Sequence, residues 1–209
     1  MPNLLAHLEA GERKRLLEDL NYLNLSEMRG FCRAHGIPTA IFVESADGQR
    51  TRTRDSDRKS VVLERVRSYL RTGKVPPPTC FPARVVSPDP PPQRMTARTR
   101  LYYGWYDKSH APLIDRLRKL TDGAFRSGAI ARILCREFWS KGEAPTLSEF
   151  ANAWLEENAR GLGVAQGRHP EAAWLTDRAK GTAGRDWKQV RARKAEGALK
   201  LLSTISPRG

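Results

Sequence analysis

The stretch LSEMRGFCRAHGIP, residues 25–38, predicts a short amphipathic helix together with both of its ends. Ser26 is a residue type that commonly caps a helix N-terminus, Gly36 suits the left-handed position after a helix, and Pro38 cannot continue one. Four apolar side chains fall on one face of this helix: Leu25, Met28, Phe31 and Cys32. Because an isolated helix of this length is marginal in water, other segments must cover that face.

Two flanking segments carry suitable apolar faces. Leucines spaced three or four residues apart recur through residues 4–20 and predict an amphipathic helix. Residues 57–70, DRKSVVLERVRSYL, predict another, whose apolar stripe is Val62, Leu63, Val66, Tyr69 and Leu70. Two short arms around Asp47-Gly48 are typical of a small β-hairpin. Residues 1–73 therefore read as helices joined by an extended loop with a hairpin insertion.

The two helices around the Gly36-Ile37-Pro38 turn resemble the SAP motif, a helix–loop–helix module known mainly for binding DNA. The matching residues are Leu25, Ser26, Met28 and Phe31 in the first helix and Lys59, Val62, Leu63, Arg65 and Val66 in the second. The family's loop is usually short, whereas about 20 residues, 39–58, separate the two matches here. The resemblance implies a DNA-binding module whose loop departs from the family's pattern.

A proline-rich stretch follows the module. Eight of the 14 prolines lie within residues 74–100. Each proline fixes φ and removes a backbone donor, so this stretch predicts an extended, semi-rigid linker with no interior strand. The predicted organisation is a SAP-like module at residues 1–73, a linker at 74–100 and a second domain at 101–209.

The second domain is predicted to be α-helical after an aromatic start. Apolar periodicity places helices near residues 112–120 and 128–140, the T-x-x-E pattern at Thr146 and Glu149 opens a third, and a basic helix covers 186–202. The start, residues 103–107 (YGWYD), resembles a domain of unknown function that follows the module in a group of bacterial SAP-like proteins. Its neighbouring aromatic residues fit either a base-stacking surface or, as the commoner case, core packing: Tyr102, Tyr103, Trp105 and Tyr106. The predicted fold class is mainly α.

Charge indicates the class of partner. The chain has 37 basic and 23 acidic residues, a net charge of +14, and nucleic acid is the commonest intracellular polyanion. One cluster precedes and opens the second module helix: Arg50, Arg52, Arg54, Arg58 and Lys59. In an extended segment the first three point to one side, and they lead to a helix N-terminus that favours phosphate. With Arg65 they form the predicted DNA contacts; the alternative is a solvated hairpin that binds nothing specific.

A second basic run lies near the C-terminus. Arg185, Lys188 and Arg191 are three residues apart and share one face of the predicted basic helix. Such a face could follow a phosphate backbone, and we include these residues among the predicted nucleic-acid contacts. The alternative is an ordinary exposed helix or a partly disordered tail.

Catalytic signatures are missing from the sequence. It contains no P-loop, no HExxH and no G-x-S-x-G. The three cysteines, Cys32, Cys80 and Cys135, are odd in number and far apart, so the sequence predicts neither a disulfide framework nor a zinc site. This pattern favours a reducing cytoplasm. No apolar run approaches the ~20 residues of a membrane span, and no signal peptide is evident. We therefore expect no enzyme activity, cofactor, metal or membrane partner.

The sequence favours a cytoplasmic protein that binds nucleic acid through phosphates with low sequence specificity. Double-stranded DNA is the expected partner, which would place the protein at the nucleoid, and RNA is the open alternative. A function of another class remains: a protein-interaction adaptor whose helical module and proline-rich linker dock to partner proteins. Oligomeric state and the role of the second domain are not indicated.

Overall fold

The computed structural model describes residues 3–160 and 186–206, and this part of the chain is mainly helical with one small sheet. Its α-helices are α1 (Ala10–Asp19), α2 (Leu25–Ala34), α3 (Lys59–Thr72), α4 (Ala111–Leu120), α5 (Ala129–Ser140), α6 (Leu147–Ala159) and α7 (Asp186–Ser203). Its strands are β1 (Ala40–Glu44), β2 (Arg50–Ser56) and β3 (Thr79–Phe81). Two short 3-10 helices lie at Leu20–Tyr22 and Ala83–Val85. The predicted class, mainly α with a small hairpin, is confirmed at this level.

The chain forms two compact units whose boundaries differ from the predicted domains. Of the described residues, unit 1 contains 3–40, 55–78 and 186–206, and unit 2 contains 41–54 and 79–160. The hairpin residues thus belong with unit 2, and the C-terminal helix belongs with unit 1. Each unit has a hydrophobic core of its own.

Helix α2 begins and ends through local hydrogen bonds. Its N-cap is Asn24 rather than the predicted Ser26: the Asn24 side chain accepts from the Glu27 N–H at 2.8 Å, and Glu27 accepts from the Asn24 N–H at 2.7 Å. At the other end Gly36 has a φ of +65°, as predicted, and Ile37 N–H donates to Cys32 O at 2.8 Å. This closing bond is the Schellman pattern, which turns the chain sharply out of the helix.

The core of unit 1 is built on the predicted apolar faces. The whole stripe of α3 is buried: Val62, Leu63, Val66, Tyr69 and Leu70. Met28 and Cys32 of α2 join the same cluster. The two helices that carry the motif resemblance therefore pack in one core, as the periodicity predicts.

Helix α7 completes this core. Its buried side chains, Ala195, Ala198 and Leu202, belong to the unit 1 cluster, together with Ile205 just beyond the helix. The helix packs against α1 and the 3-10 turn that follows α1. The sequence shows α7 as amphipathic but holds no local sign of which apolar face it covers, and this explains the difference from the predicted domain boundary.

Unit 2 contains a three-stranded sheet with β1 at its centre, in the order β2-β1-β3. β1 and β3 are parallel, with Ile41 opposite Thr79 and Val43 opposite Phe81. Only residues 45–49 join β1 to β2, so these neighbours form an antiparallel hairpin. At its tip Gly48, with a φ of +80°, occupies the left-handed conformation that the predicted Asp-Gly turn favours.

The proline-rich stretch is folded into unit 2, and its prediction as a linker is corrected here. The three residues of β3 lie between Pro78 and Pro82 and form an edge strand, where prolines are tolerated. Phe81, Val85 and Met95 are all buried in the core of unit 2. The prolines do keep most of the stretch out of regular structure, but its apolar side chains are core residues.

Helices α4, α5 and α6 close the core of unit 2 and match the predicted segments. Thr146 and Glu149 form the predicted capping box at the start of α6. Beyond the C-cap of α5 lies Gly142, whose φ is +75°, and the Glu143 N–H donates to Phe138 O at 2.9 Å. Trp139 is buried and donates from its indole nitrogen to Leu101 O at 3.0 Å.

Within the described residues, no helix combines the length and the apolar character that crossing a bilayer requires.

Candidate nucleic-acid interface

The hairpin presents a row of three arginines on an edge strand. Ser45 N–H donates to Gln49 O at 2.9 Å, which places Ile41 opposite Thr53. Thr53 also donates from its hydroxyl to Ile41 O at 2.9 Å. Ile41 is buried in the core of unit 2, so the alternate positions of β2 face away from that core. Those positions are Arg50, Arg52 and Arg54.

These three arginines have no side-chain partner among the residues that the structure describes. All three residues are exposed, and no hydrogen bond or ion pair to another described residue engages their side chains. Alternate residues of a strand are about 6.6 Å apart, so the row presents three guanidinium groups over about 13 Å. Each keeps its five N–H donors available for an anion. The row therefore has the geometry predicted for backbone phosphate contacts.

The acidic residue at the hairpin tip is committed to the turn. The Asp47 carboxylate accepts hydrogen bonds from the Ser45 hydroxyl and the Gln49 N–H. The Ser45 bond first, and the Gln49 bond second, lower the pKa of Asp47 below its ordinary value. Asp47 thus stays ionised while its oxygens stabilise the turn that holds the two strands together.

Arg58 and Lys59 lie at the start of α3 in unit 1. Arg58 is the N-cap residue and its side chain makes no capping bond. Lys59 is half-buried, and its ammonium donates to Asn21 O at 2.5 Å. Lys59 therefore contributes to the packing of unit 1, and its contact with phosphate stays a prediction.

Arg65 is buried and cannot reach a phosphate on the surface. Its guanidinium forms an ion pair with Asp57 at 2.5 Å and donates to Pro38 O at 2.8 Å. The two side chains are 9% and 3% exposed. The predicted DNA contact is thus a structural residue that joins the turn after α2 to the start of α3.

The basic residues near the C-terminus differ in their surroundings: some contact other residues of unit 1 and others are exposed. Arg185 lies outside the described residues, and Lys188 is exposed. Arg191 donates to Tyr22 O at 3.0 Å and forms an ion pair with Glu27. Lys194 lies 3.6 Å from Asp19 and 4.3 Å from the centre of the Tyr22 ring. This face of α7 attaches the helix to unit 1, so Arg191 is removed from the predicted contacts.

The aromatic start of the second predicted domain divides in the same way. Tyr103 packs against Phe81 and Trp139, and Tyr106 packs against Phe150, as core residues do. All four aromatic residues are partly exposed, and Trp105 also packs against the core of unit 2. Tyr102 and Trp105 line an open groove in unit 2. Two arginines line the same region, Arg84 and Arg100. Sequence reasoning missed both arginines because they lie in the stretch predicted to be a linker.

The buried thiols show no sign of reactivity. Burial raises the pKa of Cys32 to about 11, partly offset by the charge of Arg65. Burial likewise raises the pKa of Cys135 well above its ordinary value. Both thiols stay protonated at neutral pH, and the thiolate is the reactive form. Among residues 3–160 and 186–206, no three His, Cys, Asp or Glu side chains are grouped as a metal site.

In comparisons with known proteins, no family model, no curated protein and no solved structure matches this chain. The resemblance to the SAP module therefore depends on the quoted motif residues alone.

Proposed function

We propose that this protein binds nucleic acid, duplex DNA in the first place, through phosphates contacted by Arg50, Arg52 and Arg54. The observation that carries the proposal is that these three exposed guanidinium groups share one face of an edge strand and have no partner among the described residues. A charge-assisted bond from guanidinium to phosphate is among the stronger hydrogen bonds in proteins. No enzyme activity is proposed.

The spacing of the row suits a phosphate backbone. Alternate strand residues lie about 6.6 Å apart. Successive phosphates of one B-DNA strand rise about 3.4 Å along the helix axis and also turn around it, so neighbouring phosphates are roughly 7 Å apart in space. Phosphate contacts of this kind position a protein without reading bases, and we expect little sequence preference.

The motif resemblance supports the same class of partner. The helices that match the SAP pattern, α2 and α3, pack together in the core of unit 1. The loop between them contains β1 and β2, so the arginine row belongs to the segment in which this chain departs from the family. We propose that DNA contact has moved from the family's short loop to this hairpin. A nucleoid location follows from such binding.

The proposal is tested by fluorescence anisotropy on a 20-base-pair labelled duplex. Replacing Arg50, Arg52 and Arg54 together by alanine is expected to weaken binding at least tenfold, because the phosphate contacts are lost. The matched control replaces Arg94, Arg98 and Arg132, three exposed arginines of the same unit, and removes the same charge. Equal affinity for the intact chain and the hairpin variant, or equal loss in both variants, would contradict the proposal.

The adaptor function stays the alternative. It uses the helical module and the proline-rich stretch, of which Phe81, Val85 and Met95 are core residues and Pro88, Pro90 and Pro92 are exposed. The test that separates the two functions is a pull-down with and without nuclease. Partners that survive nuclease treatment would favour the adaptor.

A further inference from the structure

Unit 2 contains a groove that includes none of the arginines proposed to contact DNA. It consists of two adjoining cavities of about 620 and 460 Å³, which share Arg84 and Tyr102 as walls. Volumes of this size are typical of ligand sites. One cavity continues past Arg100 to Glu143, and the other continues past Trp105 along the proline-rich segment. Its length and open form suit an extended chain better than a compact molecule.

An aromatic corner forms the wall of this groove. The rings of Tyr102 and Trp105 meet edge to face, with centroids 5.1 Å apart and planes at 71°. The Trp105 indole N–H donates to Asp89 O at 3.3 Å, which orients the ring. Pro88, Pro90 and Pro92 add apolar surface on the same side. The two rings and these prolines together give the groove an apolar wall, and aromatic walls of this kind are where proline-rich peptides pack.

Two arginines supply oriented donors beside this wall. Arg84 donates from Nε to Gly142 O at 2.6 Å and from a terminal nitrogen to Lys141 O at 3.3 Å. Gly142 makes this close approach possible, because a Cβ there would lie 2.1 Å from the guanidinium. Arg100 donates to Ala144 O at 2.9 Å. A guanidinium has five N–H donors, so each arginine keeps several for the carbonyls of a ligand.

The charge in the groove does not match that of the whole chain. Its walls carry two guanidinium groups and three carboxylates, Asp89, Glu143 and Glu149. The Glu149 carboxylate is held by the N–H and the hydroxyl of Thr146. Glu143 has no side-chain partner among the described residues. A polyanion gains little here, whereas a neutral or basic ligand is favoured.

We propose that this groove binds an extended proline-rich peptide that carries a basic residue. Such a peptide forms a polyproline helix whose carbonyls have no internal partner, and aromatic-lined grooves are its usual binding sites. The prolines pack on Tyr102 and Trp105, the carbonyls accept from Arg84 and Arg100, and the basic residue pairs with Glu143 or Asp89. This inference is independent of the DNA contacts on the hairpin.

The test is calorimetric titration of the full chain with a ten-residue synthetic peptide of nine prolines and a terminal arginine. Binding is expected to weaken severalfold when the arginine is changed to glutamine and to be lost when the prolines become glycine and serine. Tyr102→Ala is expected to weaken binding at least tenfold. Because that change could disturb packing, circular dichroism checks the fold of the variant.

A variant of two surface carboxylates tests the charge preference separately and leaves Tyr102 and Trp105 unchanged. Glu143→Gln with Asp89→Asn is expected to abolish the preference for the arginine peptide and leave affinity for the glutamine peptide unchanged. The matched control, Glu137→Gln with Glu156→Gln, changes two exposed carboxylates of the same unit and is expected to have no effect. The proposal is overturned if no peptide binds, if both carboxylate variants behave alike, or if a ten-nucleotide oligothymidine binds more tightly than the peptide and depends on Tyr102.

Discussion

The ion pair between Asp57 and Arg65 is the residue-scale feature with the largest expected effect on stability. Asp57→Ala leaves a guanidinium in a site where the side chains are 9% and 3% exposed. Removing one partner of a buried pair costs about 3–5 kcal/mol, because the remaining charge has lost its compensation. We expect a loss of that size in the free energy of unfolding, measured by urea denaturation.

An exposed pair on the same helix provides the comparison. Arg71 and Glu64 lie 3.1 Å apart on α3, with side chains 57% and 65% exposed. Solvent screens such a pair, and its contribution is about 0–1 kcal/mol. Glu64→Ala should therefore change stability far less than Asp57→Ala. Similar losses in the two variants would show that the burial of the first pair has no energetic consequence.

His35 gives unit 1 a dependence on pH. It is buried, its Nδ1 lies 3.1 Å from the Tyr69 hydroxyl, and burial lowers its pKa below the ordinary value of 6.5. Above pH 6.5 the imidazole is neutral in both the folded and the unfolded chain, and its contribution to stability is complete. As the pH falls through 6.5, the unfolded chain takes up a proton before the folded chain does, so stability decreases.

The measurement is the free energy of unfolding between pH 8 and pH 5 for the intact chain and for His35→Gln. The variant is expected to lose less stability over this interval than the intact chain, because it has no imidazole to protonate at this position. Parallel curves would mean that His35 does not titrate differently on folding.

At the element scale, α7 is an integral part of unit 1. Leu202 is 3% exposed, and Leu199 on the same helix is 37% exposed. Leu202→Ala is expected to cost about 2–5 kcal/mol, since truncating a buried leucine removes apolar contacts and leaves a cavity. Leu199→Ala should cost less than about 1 kcal/mol, because surface changes have small effects. Thermal unfolding of both variants measures the difference, and equal costs would place α7 outside the core.

Sequence patterns predicted the helices better than their partners. The 3.6-residue periodicity is a local signal, and it located the buried stripe of α3 from Val62 to Leu70. Which unit α7 joins depends on residues more than 150 positions away, such as Glu27, which pairs with Arg191. The proline-rich stretch shows the same limit of local prediction. Its prolines indicate the backbone conformation, but they do not indicate that Phe81 is buried.

The same contrast between local patterns and distant partners applies to the predicted nucleic-acid contacts. Arg50, Arg52 and Arg54 could be predicted as a row because alternation along a strand is local. Arg65 and Arg191 look equally basic in the sequence, and only their partners Asp57 and Glu27 show that they are structural. Arg84 and Arg100 could not be chosen from the sequence, since the groove exists only after the segments of unit 2 have packed.

At the scale of the whole molecule, the net charge of +14 includes many cations that are engaged in packing. Lys59, Arg65, Arg191 and Lys194 all contact groups of unit 1. Total charge is therefore a poor guide to the number of phosphates that the protein neutralises. The number that matters for binding is the number of exposed guanidinium groups that reach the backbone together.

Salt dependence distinguishes the arginine row from the total charge. The logarithm of a DNA-binding constant falls with the logarithm of salt concentration with a slope of about −0.9 per neutralised phosphate. Three contacts give a slope of about −2.7, so affinity falls about 40-fold between 50 and 200 mM salt, whereas 14 contacts give a slope of about −13. We expect the shallow slope for the intact chain, measured by anisotropy on the same duplex.

The control lacking Arg94, Arg98 and Arg132 should keep that slope, because those residues are not proposed to touch DNA. A slope steeper than about −6 for the intact chain would show that cations beyond the hairpin bind phosphate, and the row would then be only a part of the interface.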